Sequence, residues 1–163
     1  MNLTPLTRTA APWLHHLTAA PADLSQAARD LYRQHPRLAV RVVRGGKCPT
    51  PKDLFDECAA ALQFPLTFGD NWDAFHDCLT DLAWLESDGC VLFLADADRL
   101  LSRSSAEQAD NLRHVLTEAV QSWNQPERGP ARPFHVVFHA RPGEEKDLLA
   151  RWQDAASRLH KLA

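Results

Sequence analysis

The sequence lacks the signatures by which many enzymes announce themselves. No Gly-rich phosphate loop, no G-x-S-x-G elbow and no H-E-x-x-H helix occurs in its 163 residues. The corresponding nucleotide-binding, serine hydrolase and metalloprotease chemistries therefore have no starting point here. Disulfide chemistry is missing as well. Cys48, Cys58, Cys78 and Cys90 contain no C-x-x-C pair and stand inside apolar or periodic segments, the pattern of reduced, mostly buried thiols. Long apolar runs are absent too. The patch from Ala10 to Leu14 is broken by Pro12 and followed at once by His15 and His16, which is too short for a signal peptide. No stretch approaches the roughly 20 apolar residues of a membrane helix. No internal repeat or low-complexity run is present. The expectation is a cytoplasmic protein that meets no membrane.

Bases are the scarcest commodity in one long section. Between Thr50 and Asp98 there are eleven acids and a single base, Lys52, whereas the remainder carries ten acids and seventeen bases. The net charge is only -3, so the polarity lies in the distribution. Such a section steers basic partners toward itself and repels phosphates, so its ligand is expected to be a basic protein rather than a nucleic acid. With 45% hydrophobic and 24% charged residues, the chain is long enough for one domain with a real core plus appendages.

In chain order, residues 1–20 with Pro5 and Pro12 read as a poorly specified arm that Trp13 and Leu14 anchor. Pro21 opens a helix whose stripe Leu24, Ala27, Ala28, Leu31 ends near His35. LAVRVVR, Leu38 to Arg44, is rich in β-branched residues and runs into Gly45-Gly46, as a strand and turn do. Thr50 caps a helix with Pro51 and Asp53 in its first turn and Leu54, Phe55, Cys58, Ala61 and Leu62 at helical period. CVLFLA, Cys90 to Ala95, is apolar without alternation and is expected to be the central strand. Ser104 or Ser105 caps a helix to about Trp123, with Leu112, Val115, Leu116, Ala119 and Val120 inward, and Phe134 to His139 is a third strand. His135 and His139 share one face of it, as strand-end or core-edge residues. After Arg141-Pro142-Gly143 a last helix places Leu148, Leu149, Trp152, Ala156 and Leu159 along one side. It is expected to pack on the domain, with an oligomer contact as the other option.

The most informative stretch is FPLTFGDNWDAFHDCLTDLAW, Phe64 to Trp84. Pro65 and Gly69 punctuate a loop, Asp70 or Asn71 supplies an N-cap, and a helix follows to about Leu82. At about 100° per residue, Phe75, Leu79 and Leu82 face the core with Cys78 at the margin, while Asp73, His76, Asp77 and Thr80 lie opposite and Trp72 sits between. Asp73 and Asp77, like Asp77 and Asp81, are like charges four apart, which cost a helix about 0.2–0.5 kcal/mol each. Local stability does not explain that face. It is either a solvated acidic surface or a convex anionic probe for a cationic cleft. Two carboxylates one turn apart are about 5–6 Å from each other at the backbone, comparable to successive phosphates, and Arg grips carboxylate and phosphate with the same bidentate geometry. A metal site from Asp73, His76 and Asp77 is the remaining chemistry, yet no second ligand cluster is marked in the sequence. No cofactor is expected.

From Leu62 through Thr80 the chain resembles the barstar family, small intracellular inhibitors of secreted microbial ribonucleases. Pro65, Phe68, Gly69, Asn71, Asp73, Ala74, Asp77, Cys78, Leu79 and Thr80 carry the resemblance at the family's spacing. It implies an α/β fold with a three-stranded parallel sheet packed with helices over residues 37–140. The N-terminal segment and helix, residues 1–36, and an extra C-terminal helix, residues 141–163, lie outside it and are candidates for a homodimer contact. It also implies a non-enzymatic inhibitor, an immunity protein or antitoxin, whose acidic helix blocks the cationic site of a secreted or toxin-type ribonuclease. A barstar-like module for another basic protein and a metal-dependent hydrolase are the alternatives. Carried over by position, the contacts are Asp73, Asp77, Gly69, Trp72, Thr80 and Glu118. Thr67, His76 and Leu82 stand where the family has Tyr, Trp and Trp, a loss of aromatic anchors for which Trp72, in place of a Leu, partly compensates.

Overall fold

The computed structural model describes residues 1–154 and 158–163. The elements are β1 (Leu14–Thr18), α1 (Pro21–Gln34), β2 (Leu38–Arg44), α2 (Pro51–Leu62), α3 (Trp72–Asp81), β3 (Gly89–Ala95), α4 (Ala106–Asn124), β4 (Phe134–Ala140), α5 (Glu145–Trp152) and β5 (His160–Lys161), with single 3₁₀ turns between several of them. The five strands form one parallel sheet in the order β2-β3-β4-β1-β5. Parallel strands need crossovers. Here α2 to α5 cover one face of the sheet and α1 lies across the other.

Local signals account for most helix ends. The Thr50 hydroxyl accepts from the Asp53 amide while the Asp53 carboxylate accepts from the Thr50 amide, a reciprocal cap with Pro51 in the first turn. Asn71 caps α3 by accepting from the Ala74 amide at 2.8 Å. Gln63 and Leu82 end α2 and α3 in the left-handed region, at φ 54° and 44°. Two indoles then satisfy carbonyls that those helix ends leave over. Trp84 Nε1 donates to Leu62 O at 2.9 Å, and Trp123 Nε1 to Leu79 O and Thr80 O at 3.1 and 3.0 Å. Gly45 is needed after β2, because a Cβ there would stand 2.6 Å from Ala95 O.

Alternate residues of the strands feed two cores. Cys90, Leu92, Leu94, Phe134, Val136 and Phe138 face α2–α5, and Val91, Phe93 and Val137 face α1 with Leu17, Leu24 and Leu31. Burying each large apolar side chain contributes roughly 1.5–3 kcal/mol.

Four expectations are corrected. The sheet has five strands, not three: the supposed N-terminal arm supplies β1, hydrogen-bonded between β4 and β5. β4 therefore stands at the centre, and all seven of its residues are buried, whereas β3 is next to the edge strand. The last helix is short. α5 stops at Trp152, and Leu159 is buried ahead of β5 rather than on the helix, while Ala156 lies outside the described residues. Finally, His135 and His139 are not at a core edge but at 0% exposure, because β1 and α1 close over them. Their hydrogen bonds fix their tautomers. His135 Nε2 reaches Arg8 O at 2.6 Å, so that nitrogen donates, and its Nδ1 accepts from His15 Nε2 at 3.0 Å. His139 Nδ1 accepts from the Asp96 amide and its Nε2 donates to Ala19 O. Apolar residues of both terminal segments, Leu6, Leu148, Trp152 and Leu162, are buried within the chain itself.

Candidate functional site

Helix α3 is held on the sheet by Phe75 and Leu79, both at 0% exposure. Aromatic edges fix its N-terminal half. Trp72 lies T-shaped on Phe55, with ring centroids 5.0 Å apart, and Phe55 also meets Phe68 and Phe75. The Trp72 indole donates to Gln108 Oε1 at 2.7 Å, which ties α3 to α4. The outward face is thus presented by a rod anchored at both ends, the far one by Trp123.

On that face Asp73 and Asp77 are exposed, the Asp77 side chain to 85%. Among the described residues no Lys or Arg stands within ion-pairing distance of Asp70, Asp73, Asp77 or Asp81. The other acids of the same section are treated differently. Asp56 pairs with Lys52, Glu57 with Arg44, Asp88 with Arg37 and Asp96 with Arg141, the last through two 2.8 Å hydrogen bonds. Hydrogen bonds from those arginines hold the Glu57, Asp88 and Asp96 carboxyls below the usual carboxylate range. Unspent negative charge is concentrated on the α3 face.

The remaining predicted residues gather around it unevenly. Glu118, from α4, receives His76 Nε2 at 2.9 Å and His114 Nε2 at 3.3 Å, and His76 Nδ1 lies 3.6 Å from Asp77 Oδ1. Trp72, Asp73, His76, His114 and Glu118 line a shallow depression of about 350 Å³ between the two helices. Thr80 directs its hydroxyl to the carbonyls of His76 and Asp77. Thr67 and Gly69 are exposed in the preceding loop. Leu82 lies in the core at 1% exposure, as its place on the helix predicts, so the count of lost surface anchors is corrected at this position.

Several neighbours escaped the sequence reading. Leu66, fully exposed beside Thr67, offers an apolar tip in the loop before α3, and only its place after Pro65 could have marked it. Gln108, Asn111 and His114 reach the site from α4, more than 30 residues away in sequence. Metal and nucleophilic chemistry find little support. Among the described residues no three His, Cys, Asp or Glu side chains converge to hold a metal ion. Burial first, then the Asp77 and Asp81 carboxylates, pushes the Cys78 thiol up, away from thiolate. Among the described residues no helix is long and apolar enough to cross a membrane.

Comparison with known proteins places this geometry in context. The family model described as Barstar (barnase inhibitor) matches residues 38–139, which runs from β2 into β4 and includes all of α3. No curated protein matches the chain.

Proposed function

Because the chain belongs to the Barstar (barnase inhibitor) family, we propose that α3 is an anionic plug for the cationic active site of a barnase-type ribonuclease. The chain is then a cytoplasmic inhibitor of the immunity-protein or antitoxin kind. One observation carries the reading: Asp73 and Asp77 project one turn apart from a rigid helix and, among the described residues, neither pairs with a Lys or Arg, while Asp56, Glu57, Asp88 and Asp96 each do. A carboxylate that the fold leaves unused is available to the arginines, lysines and histidines that a ribonuclease aims at phosphate. Trp72, Thr80, Gly69, Thr67, His76 and Glu118 frame the pair. The acidic section speeds encounter with a basic enzyme, and the blockade is steric and electrostatic rather than catalytic.

The test is inhibition of RNA hydrolysis by a barnase-type ribonuclease titrated with this protein. Stoichiometric inhibition is expected, and Asp77→Ala should weaken it by about 2 kcal/mol or more, roughly 30-fold. Full inhibition by Asp77→Ala would remove the plug from the mechanism. A second reading, a barstar-like module for a different basic protein, draws on His76. The family's Trp is replaced there by an imidazole that Glu118 holds at 2.9 Å, so the aromatic anchor for the usual target is missing. An inert mixture with barnase-type ribonucleases would favour this second reading.

A further inference from the structure

The face of the sheet under α1 is incompletely covered. α1 packs on this face through Leu24, Ala28 and Leu31, against Leu38 and part of Val40 on β2, Val91 and Phe93 on β3 and Val137 on β4, and leaves the C-terminal end of β2 at Val42 open. Val42 is 38% exposed, and Tyr32, on the flank of α1, is 52% exposed. Between them runs a groove of about 790 Å³ with Val40, Val42 and Ala95 as its floor and α1 from Pro21 to Tyr32 as its wall. That wall is about 16 Å long at 1.5 Å per residue. Because α1 precedes residue 38, the family match does not include the wall.

The groove has a cationic rim. Arg29, Arg44 and Lys47 line it. Arg44 is held by Glu57, and among the described residues Arg29 bonds only to Gln26 while Lys47 feels the Glu57 charge without forming an ion pair with it. The single acid in the lining, Asp96, is already held by Arg141. The free edge of β2 is already partly occupied. Arg37 O accepts from the Asp88 amide on the β3 side, so by alternation Leu38, Val40, Val42 and Arg44 turn their backbone groups outward. Three of those groups are already used: Leu38 N bonds His35 O, Val40 O accepts from the Arg41 guanidinium, and Arg44 N donates to Glu57 Oε1. A second copy seated symmetrically would set cationic rim against cationic rim.

We infer that this groove docks an amphipathic helix of a partner protein, with its apolar face on Val40, Val42 and Tyr32 and acidic residues along its flanks meeting Arg29 and Lys47. Such a helix would lie beside α1 and complete the layer. It would sit on the sheet face opposite α3, so this chain can hold a second partner while α3 is engaged.

A panel of fluorescein-labelled amphipathic peptides with Leu/Ile faces tests this, each made with Glu flanks and again with Lys flanks. Fluorescence anisotropy should show binding of Glu-flanked peptides at least tenfold tighter than their Lys-flanked counterparts, with amide shifts centred on Val40, Val42 and Lys47. Val42→Asp should abolish binding, and Arg29→Glu with Lys47→Glu should reverse the preference. All three side chains are exposed, and urea melts matching those of the unsubstituted protein serve as the check that the variants remain folded. The inference is overturned if no peptide binds, if Glu and Lys flanks bind alike, if the bound peptide is extended, or if light scattering shows a dimer that Val42→Asp dissociates.

Discussion

The face of the sheet under α2–α5 is closed and the face under α1 is covered except at the Val42 end of β2, and the two are packed by different means. Under α2–α5 the interior is apolar apart from Asn124 and His16, and indoles of Trp84, Trp123 and Trp152 enter it with their N–H groups spent on backbone carbonyls. Under α1 the interior contains His15, His135 and His139, whose nitrogens replace the missing backbone partners of the chain entering and leaving β1. The first face buries one histidine, His16, beside Glu145, and places its acidic groups outside, on α3. The second has titratable groups inside, so its packing is sensitive to protons.

Removing an apolar anchor from the first face should have the largest effect. Trp152 is fully buried against Phe138 and donates to Ala97 O at 2.6 Å. Trp152→Ala should cost about 3–5 kcal/mol, read from urea melts, and the loss should be the same at pH 7.5 and pH 5. Since Trp152 lies beyond the family match, a loss below about 1 kcal/mol would mean that α5 is an ornament rather than part of the core.

A smaller, pH-dependent effect belongs to the second face. Burial, followed by His135, lowers His15 from 6.5 to about 3, and burial also lowers His135. The unfolded chain binds a proton at His15 below about 6.5, while the folded chain refuses it until about 3, so stability present above 6.5 is lost as pH falls across that window. At pH 5 the loss from His15 alone is about 2 kcal/mol. In His15→Gln the difference in stability between pH 7.5 and pH 5 should shrink by about that amount. An unchanged difference would show that the histidine pair does not set the pH response.

The same contrast explains what could be read in advance. α1, α2, α3 and α4 were legible because Pro21, Thr50, Asn71 and Ser105 mark their starts and apolar residues keep the helical period. The acidic face of α3 was legible because like charges four apart have no local reason. β1 was not: LHHLT carries two histidines where a buried strand should be apolar, and it is a strand through its pairing with β4, where His135, 120 residues away, accepts a hydrogen bond from His15. β5, two residues long, has no pattern to detect. Nor could the sequence pair His76 with Glu118, since that contact depends on how α3 packs against α4.

The smallest effect is the sharpest test of the α3 face. Asp77→Asn keeps the shape of the side chain and removes its charge. Within the free protein Asp77 faces like charges at Asp73 and Asp81, and among the described residues its carboxylate meets a polar partner only at His76, 3.6 Å away. Relief of the repulsion should stabilise the chain by a few tenths of a kcal/mol, about 0.2–0.5 kcal/mol for each like-charge pair before solvent screening. Urea melts at low salt should detect the gain, and 0.5 M salt should erase it. A loss of 1 kcal/mol instead would mean that Asp77 serves the fold by holding His76 in place. The carboxylate would then no longer be spare, and the argument that it awaits a cationic partner would lose its premise.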